Sequence, residues 1–208
     1  MTYILYSYWQ SSSAWRVRIA LNIKKVPYTY KAIDLITKEH FSQLYSIKNP
    51  MLQVPLLETP TFSISQSLAI FKYLEGKYKF PTMIPNDIQT EAKMWEICEI
   101  INSGIQPLQN LSLLKKIKKL GGDPMEWAQE NIIKGFGFIE DLLDHKKVYS
   151  VEDFVTFADA CILPQLNNAK KYGVNVEKYP KILRVCENLI KVQEIIEAMP
   201  ENQPDAKK

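Results

Sequence analysis

Residues 7–21, SYWQSSSAWRVRIAL, join a strand pattern to a helix pattern and decide the fold that we predict for the first part of the chain. The residues before this stretch, 3–6, are apolar and aromatic, as in a short strand. Trp15 and Ile19 begin the apolar face of the helix that follows. Three serines, at 11–13, lie at the junction, where a helix start has unpaired N–H groups and a partial positive charge. Serines at such a position cap the helix or hold an anion, and their spacing leaves both interpretations open.

A second strand follows this helix closely. The helix pattern covers 12–24, and residues 28–33, YTYKAI, are rich in aromatic and β-branched residues. Strand, helix and strand within about thirty residues form a βαβ unit, in which the two strands are parallel.

A hairpin and two more helices complete the pattern up to residue 80. The strands at 54–57 and 62–64 are too close in sequence for a parallel crossover, so they should be antiparallel. The turn should be loose, because Thr59-Pro60-Thr61 lacks the Gly or Asn that tight hairpins favour. With a short helix at 38–46 and a helix that opens at Gln66-Ser67, the order is β-α-β-α-β-β-α. This order predicts a thioredoxin-like α/β domain.

Strand patterns largely disappear after residue 88. Residues 81–88, PTMIPNDI, contain two prolines and an Asn-Asp turn signal. We therefore predict a thioredoxin-like domain at 1–80, a linker at 81–88 and an all-α domain at 89–208. The predicted helices run over 89–119 with an interruption at Pro107, over 125–145, over 160–171 after a capping box at Thr156–Asp159, and from Tyr179 to near Met199. The tail after Pro200 is polar, and we expect it to be mobile.

The composition is that of an ordinary globular protein. The 208 residues are 46% hydrophobic and 24% charged, with a net charge of +3. This charge is too small and too mixed in sign to indicate a nucleic-acid partner, and the lysine-rich run at 115–119 fits a solvated helix end. No apolar stretch approaches a membrane span and no signal peptide is evident, so we expect no membrane partner.

The cysteines and histidines indicate neither disulfides nor a metal site. Cys98, Cys161 and Cys186 are far apart and odd in number, which favours a reduced, cytoplasmic protein with buried thiols. His40 and His145 lack the ligand spacing of a His-based metal site, so we expect no metal.

Several motifs in the right order give the chain its resemblance to a known family. SSSAWRVRIAL resembles the SSCxWRVRIAL motif of the zeta-class glutathione transferases, which include maleylacetoacetate isomerase. Further stretches similar to landmarks of this class are NPMLQVP at 49–55, QSLAI at 66–70, SGIQPLQNLS at 103–112, VTFAD at 155–159 and NQPDA at 202–206. The resemblance covers essentially the whole chain, and it implies the two-domain glutathione transferase fold, a homodimer and glutathione as cofactor.

The resemblance also implies roles for individual residues. Ser11, with Ser12 beside it, would activate the glutathione thiol, because a hydroxyl donor and a helix N-terminus stabilise the thiolate. Val54 would pair with the cysteinyl backbone and Pro55 would be cis, although a trans bond is the default from sequence alone. Gln66 and Ser67 would receive the γ-glutamyl end, where capping is the alternative. The remaining positions that the resemblance places at the glutathione site are Ser13, Arg16, His40, Gln106, Asn110 and Ser112.

Three residues depart from the family pattern. Ser13 replaces the motif cysteine, and a hydroxyl is a much poorer nucleophile than a thiol. His40 stands where the family often has a glutathione-contacting Gln. Lys171 stands where an Arg is expected near an acidic substrate, and it keeps the charge but loses the planar fork that binds carboxylates. Arg16 and Lys171 are the predicted contacts for substrate carboxylates.

The leading hypothesis is a glutathione-dependent cis–trans isomerase that converts maleylacetoacetate to fumarylacetoacetate in tyrosine and phenylalanine catabolism. The same site is expected to act on small α-halo acids. One alternative is a detoxification transferase or dehalogenase for foreign electrophiles, with weak isomerase activity. The other is a non-catalytic glutathione-transferase-like binding protein.

Overall fold

The computed structural model describes residues 2–207 of the chain, and they form two compact units. One unit joins the N-terminal part, up to Thr82, with the C-terminal segment that begins at Lys191, and the other spans Met83–Ile190. This division differs from the predicted one, which placed residues 89–208 together. The difference lies at the C-terminus, where the last helix packs against the first helix of the chain.

The first unit is built on a four-stranded mixed sheet. Its strands are β1 (Tyr3–Ser7), β2 (Tyr28–Ala32), β3 (Leu56–Glu58) and β4 (Ser63–Ser65), in the order β2-β1-β3-β4. β1 pairs in parallel with β2 and antiparallel with β3, and β3 pairs antiparallel with β4. The predicted parallel pair, the antiparallel hairpin and the thioredoxin-like fold are therefore confirmed.

The hairpin turn between β3 and β4 is stabilised by a threonine in place of the usual Gly or Asn. Thr59 Oγ1 donates to the carbonyl of Phe62 at 2.7 Å and accepts from the N–H groups of Thr61 and Phe62 at 3.3 and 3.1 Å. The four-residue connection is longer than a tight turn, as predicted.

Three helices of the first unit follow the predicted pattern. They are α1 (Ser12–Ile23), α2 (Gln43–Lys48), which follows a 3₁₀ turn at Glu39–Phe41, and α3 (Ser67–Lys77). Leu5 and Leu57 on the sheet, and Ile19 and Ile70 on the helices, have no exposed surface. Burial of these side chains fixes the starts of α1 and α3 relative to the sheet.

The second unit is helical. Its helices are α4 (Ile88–Glu99), α5 (Leu111–Lys119), α6 (Pro124–Leu142), α7 (Phe157–Lys171) and α8 (Pro180–Leu189). The predicted interruption at Pro107 is larger than expected, because a π-helical segment, Ile100–Ile105, and a 3₁₀ segment, Gln106–Gln109, separate α4 from α5. The capping box at Thr156 and Asp159 is confirmed at the start of α7.

The single last helix predicted from Tyr179 to Met199 is wrong. The chain instead forms α8 and then α9 (Gln193–Ala198), and α9 packs against α1. Leu189, Val192 and Ile195 keep helical spacing across the break, so periodicity does not reveal it.

The expectation of a mobile tail is also wrong for the described residues up to 207. Gln203 is buried, and its Nε2 donates to the carbonyls of Glu197 and Met199 at 2.8 Å each. Asp205 accepts hydrogen bonds from the N–H of Trp9 and the hydroxyl of Tyr30. Polar composition suggested a solvated tail, whereas these polar groups bond to the first unit.

Within residues 2–207, no helix has both the length and the apolar character that crossing a membrane requires.

Candidate active site

Ser11 caps the first turn of α1. Its backbone is extended, with φ −71° and ψ 113°, and its Oγ accepts from the N–H of Ala14 at 3.2 Å. A hydroxyl that accepts one hydrogen bond still has a proton to donate. Ser11 is therefore able to cap the helix and to donate to an anion at the same time, so the two interpretations of the serine run are compatible at this residue.

The first turn of α1 has two backbone donors that are free to bind an anion, at Ser12 and Ser13. The next two N–H groups, those of Ala14 and Trp15, already bond to Oγ and to the carbonyl of Ser11, at 3.2 and 2.8 Å. Among residues 2–207, the N–H groups of Ser12 and Ser13 have no hydrogen-bond acceptor. Unpaired amides and the positive end of the helix dipole together favour a bound anion. The Ser12 side chain is buried and that of Ser13 is partly exposed.

The segment before β3 lies beside this helix start. Val54 and Ala14 belong to one buried cluster, which also contains Tyr8. The Val54–Pro55 bond is cis, as the resemblance implies. Val54 precedes the first paired residue of β3, Leu56, so strand pairing does not use its backbone groups. They are available to pair with an extended peptide.

The start of α3 has an unusual backbone. Gln66 has φ 71° and ψ 118°, and its side chain makes no capping hydrogen bond. A non-glycine residue in such a conformation costs about 1–3 kcal/mol, and residues of this kind cluster at ligand clamps. The geometry therefore favours a ligand role for Gln66 over the capping alternative. Ser67, the first residue of α3, is buried.

Arg16 connects α1 to the start of α3. Its side chain has no exposed surface, and Nη1 donates to Oγ of Ser67 at 3.3 Å. This position disagrees with the predicted contact between Arg16 and substrate carboxylates, because the guanidinium lies inside the first unit. The long side chain reaches under α3 instead, where it orients a residue of the predicted γ-glutamyl site.

His40 lies in the 3₁₀ turn before α2. Its ring packs on Phe41 with a centroid distance of 4.1 Å, and its Nδ1 is buried without a hydrogen-bond partner among the described residues. Burial lowers the pKa of the His40 imidazole, which favours the neutral form. A buried ring nitrogen without a hydrogen-bond partner is uncommon in proteins.

The other predicted site residues lie in the second unit. Gln106 Nε2 donates to Oδ1 of Asn110 at 3.0 Å, because the 3₁₀ segment brings these two side chains together. Ser112 is exposed in the first turn of α5, and Lys171 is exposed at the last position of α7.

The structure shows two residues near Ser11 that sequence reasoning missed, Arg18 and Asp205. Both bond to the loop between β1 and α1. The available signal for Arg18 was a charged residue inside an apolar helix pattern, and for Asp205 it was a conspicuous motif in a tail that we expected to be mobile.

The groups in the first unit fit glutathione, which has a thiol, two amide links and two carboxylates. The starts of α1 and α3 favour anions, and Val54 offers free backbone groups between them in sequence. Within residues 2–207, the structure has no group of three or more His, Cys, Asp or Glu side chains arranged to hold a metal ion.

Comparisons with known proteins identify the family. Residues 1–76 match the glutathione S-transferase N-terminal domain. A maleylacetoacetate isomerase from Dictyostelium discoideum is 44% identical over 209 residues, which cover 98% of this chain and 95% of that protein.

Two solved structures agree with this match. A bacterial maleyl pyruvate isomerase, described as a zeta-class glutathione S-transferase, has a TM-score of 0.95 and 34% identity, with 98% of this chain and 100% of the other covered. A maleylacetoacetate isomerase from Anaeromyxobacter dehalogenans, with dicarboxyethyl glutathione and citrate in its active site, has a TM-score of 0.89 and 38% identity, with 99% and 94% covered. This chain therefore belongs to the zeta-class glutathione transferase family, which includes the maleylacetoacetate isomerases.

Proposed function

We propose that this protein catalyses the glutathione-dependent isomerisation of maleylacetoacetate to fumarylacetoacetate, a step of tyrosine and phenylalanine catabolism. The observation that carries the proposal is the start of α1, where Ser11 has a proton to donate beside two unpaired backbone amides. The names of the relatives, and the glutathione adduct in one of their structures, support the same reaction.

Some residues of the proposed site bind glutathione, and others activate its thiol. Glutathione, when bound, supplies a sulfur nucleophile whose reversible addition to a conjugated double bond lets that bond rotate. Ser11 donates to the sulfur, and the N-terminus of α1 stabilises its negative charge, which lowers the thiol pKa from about 8.5. Ser67 and the start of α3 hold the γ-glutamyl carboxylate, and Val54 orients the cysteinyl part.

The remaining residues serve the substrate and the rest of glutathione. Lys171 attracts a substrate carboxylate, and Arg16 holds Ser67 in position rather than contacting the substrate. For Gln106, Asn110, Ser112 and His40, the support for a role in binding is the family resemblance. Ser12 and Ser13 contribute their backbone amides.

A second candidate function is favoured by the replacement of the family cysteine by Ser13 and of the expected arginine by Lys171. Both changes leave the Ser11 hydroxyl intact. Ser13 lacks the nucleophilic thiol of the family motif, and Lys171 lacks the planar fork with which an arginine binds a carboxylate. In this case the protein is a detoxification transferase or dehalogenase for electrophiles such as small α-halo acids. The non-catalytic alternative has less support, because a binding protein needs no thiol-activating hydroxyl.

The decisive experiment compares substrates. Purified protein with glutathione is mixed with maleylacetoacetate, and the formation of fumarylacetoacetate is followed alongside the turnover of an α-halo acid. We expect the isomerisation to have the higher kcat/KM. Glutathione binding without isomerisation would reject the proposed reaction, and faster turnover of the α-halo acid would favour the second candidate.

We further propose a cytoplasmic homodimer. The support is the family resemblance and the three free, buried cysteines, which suit a reducing compartment. Sedimentation velocity of the purified chain should give the mass of a dimer, and a single species with the mass of one chain would contradict this proposal.

A further inference from the structure

We propose that Arg18 and Asp205, which lies in the C-terminal segment, form a clamp that positions Ser11 for activation of the glutathione thiol. The clamp consists of the side chains of these two residues and acts on the loop Tyr8–Ser11. The inference rests on the proposed function, because it assigns Ser11 the role of thiol activator, and it gives the C-terminal NQPDA motif a purpose in catalysis.

Arg18 holds the loop from the helix side. Its side chain has no exposed surface. Nη2 donates to the carbonyl of Trp9 at 3.1 Å, and Nη1 donates to the carbonyl of Tyr8 at 3.4 Å and to Oγ of Ser7 at 3.1 Å. Burial lowers the pKa of Arg18 to about 10, so the guanidinium is still charged near neutral pH and these bonds are charge-assisted.

Asp205 in the C-terminal segment bonds to the same loop. Oδ2 of Asp205 accepts from the N–H of Trp9 at 3.1 Å, and Oδ1 accepts from the hydroxyl of Tyr30 on β2 at 2.7 Å. The tail is itself fixed by Gln203, which bonds to the end of α9. Arg18 joins this arrangement as well, because Nε donates to the carbonyl of Ala198 at 2.9 Å.

The clamp therefore controls the residue two positions before Ser11 through both of its backbone groups. The N–H of Trp9 binds Asp205 and its carbonyl binds Arg18. The loop passes this constraint to Ser11, because the N–H of Ser11 donates to the carbonyl of Tyr8 at 2.9 Å. Catalytic groups must be held to within a fraction of an ångström, so an anchor of this kind supports the chemistry without touching glutathione.

The clamp predicts a selective effect of changes in the tail. The proposed function assigns the binding of glutathione to Val54, Gln66 and Ser67, and these residues lie outside the clamp. Loss of the clamp should therefore weaken activation of the thiol more than binding of the tripeptide. S-methylglutathione, which has no thiol proton, reports binding alone, whereas the ultraviolet absorbance of the thiolate reports the pKa of bound glutathione.

The test compares three variants of the full chain. Asp205→Ala loses both hydrogen bonds and should lower kcat/KM by about 10- to 100-fold. It should raise the pKa of the bound thiol and leave the affinity for S-methylglutathione within about twofold, because those contacts are untouched. Asp205→Asn keeps an acceptor for Trp9 and gains a donor for the Tyr30 hydroxyl, so it should restore most of the activity. Glu201→Ala, which removes an exposed carboxylate from the same tail, is the matched control and should behave as the wild type.

Each other outcome contradicts the clamp. A wild-type thiol pKa in Asp205→Ala would show that the tail does not position Ser11. Equal losses in Asp205→Ala and Asp205→Asn would assign the effect to charge, and a parallel loss of S-methylglutathione binding would assign it to general stability. If Asp205→Ala does not fold, Tyr30→Phe frees one carboxylate oxygen and must raise the thiol pKa in the same direction.

The test separates this inference from the proposed function. Wild-type protein that binds glutathione without isomerising maleylacetoacetate would overturn the reaction. In that case, the thiol pKa of the variants would still show whether the clamp positions Ser11.

Discussion

At the scale of single residues, Arg16 and Lys171 differ in burial although the sequence predicted the same role for both. Arg16 and Lys171 were both predicted to contact substrate carboxylates. Arg16 is fully enclosed and bonds to Ser67, whereas Lys171 is exposed at the C-terminal end of α7. The sequence shows that both side chains are charged. Whether each one is buried depends on the elements that pack against its helix, and the sequence does not show this. Lys171 is therefore the one of the pair that remains a candidate for substrate recognition.

Substitution of Lys171 tests this role. Lys171→Ala should raise KM for maleylacetoacetate by about tenfold, because a charge-assisted hydrogen bond is lost. Lys171→Arg should lower KM, because the guanidinium offers a planar fork to a carboxylate. Steady-state kinetics at saturating glutathione measure both effects. Lys170→Ala removes the neighbouring exposed charge and serves as the control, and an equal effect of this variant would reduce the role of Lys171 to general attraction.

At the scale of secondary-structure elements, one glycine of α6 permits the π-helical segment to pack. A Cβ at Gly135 would collide with the side chain of Ile105, whereas a Cβ at Gly137 would meet no atom within 4 Å. Two glycines two residues apart on one helix thus have opposite tolerances for substitution.

This contrast predicts opposite effects on stability. Gly135→Ala should lower the free energy of unfolding by about 1–3 kcal/mol, because the core around Ile105 is overpacked. Gly137→Ala should raise it by about 0.5–1 kcal/mol through the better helix propensity of alanine. Denaturant unfolding measures both variants. Similar values for the two would show that the π-helical segment adjusts freely to α6.

The capping box of α7 predicts a pH dependence. Asp159 accepts from the N–H groups of Ser150 and Thr156, but it is fully buried, and burial raises the pKa of its carboxyl above the ordinary value of 3.8. The folded protein therefore keeps this proton at pH values where the unfolded chain has lost it. The contribution to stability is full at low pH and is lost as the pH rises from 3.8 through the raised pKa.

Unfolding experiments across this pH range isolate the effect. The free energy of unfolding of the wild type minus that of Asp159→Asn should fall as the pH rises. Asp141→Asn, at an exposed position of α6, should give no such slope. Parallel profiles for the wild type and Asp159→Asn would show that the carboxyl has the same pKa in both states.

Local patterns predicted most elements of this chain, and long-range contacts account for the failures. The strands of the sheet and α1 follow from short segments whose composition or periodicity is complete within a few residues. The break between α8 and α9 depends on the surface of α1, to which α9 packs from a distant part of the sequence. The anchored tail likewise depends on Trp9 and Tyr30, which its own composition does not reveal.

At the scale of the whole molecule, the N-terminal and C-terminal parts of the chain belong to one compact unit. The segment that begins at Lys191 belongs to the same compact unit as β1 and α1, and its Asp205 bonds to Trp9, just before the start of α1. The resemblance supplied the site residues of the first unit, and the backbone conformation of Gln66 suits a ligand site. Asp205 was not predicted, because it contacts Trp9 across 196 residues of sequence. Arg18 was not predicted, because the sequence does not show that its side chain turns back to the carbonyls of Tyr8 and Trp9.

In the proposed mechanism, the hydroxyl of Ser11 activates glutathione for the isomerisation of maleylacetoacetate. The most direct test is kcat/KM for fumarylacetoacetate formation by Ser11→Ala, with the thiol pKa of bound glutathione measured in parallel and Ser63→Ala on β4 as control. We predict a loss of at least about 100-fold and a raised thiol pKa, because a donor aimed at the reacting anion is removed. Activity and a thiol pKa close to those of the wild type would show that Ser11 does not activate the thiol.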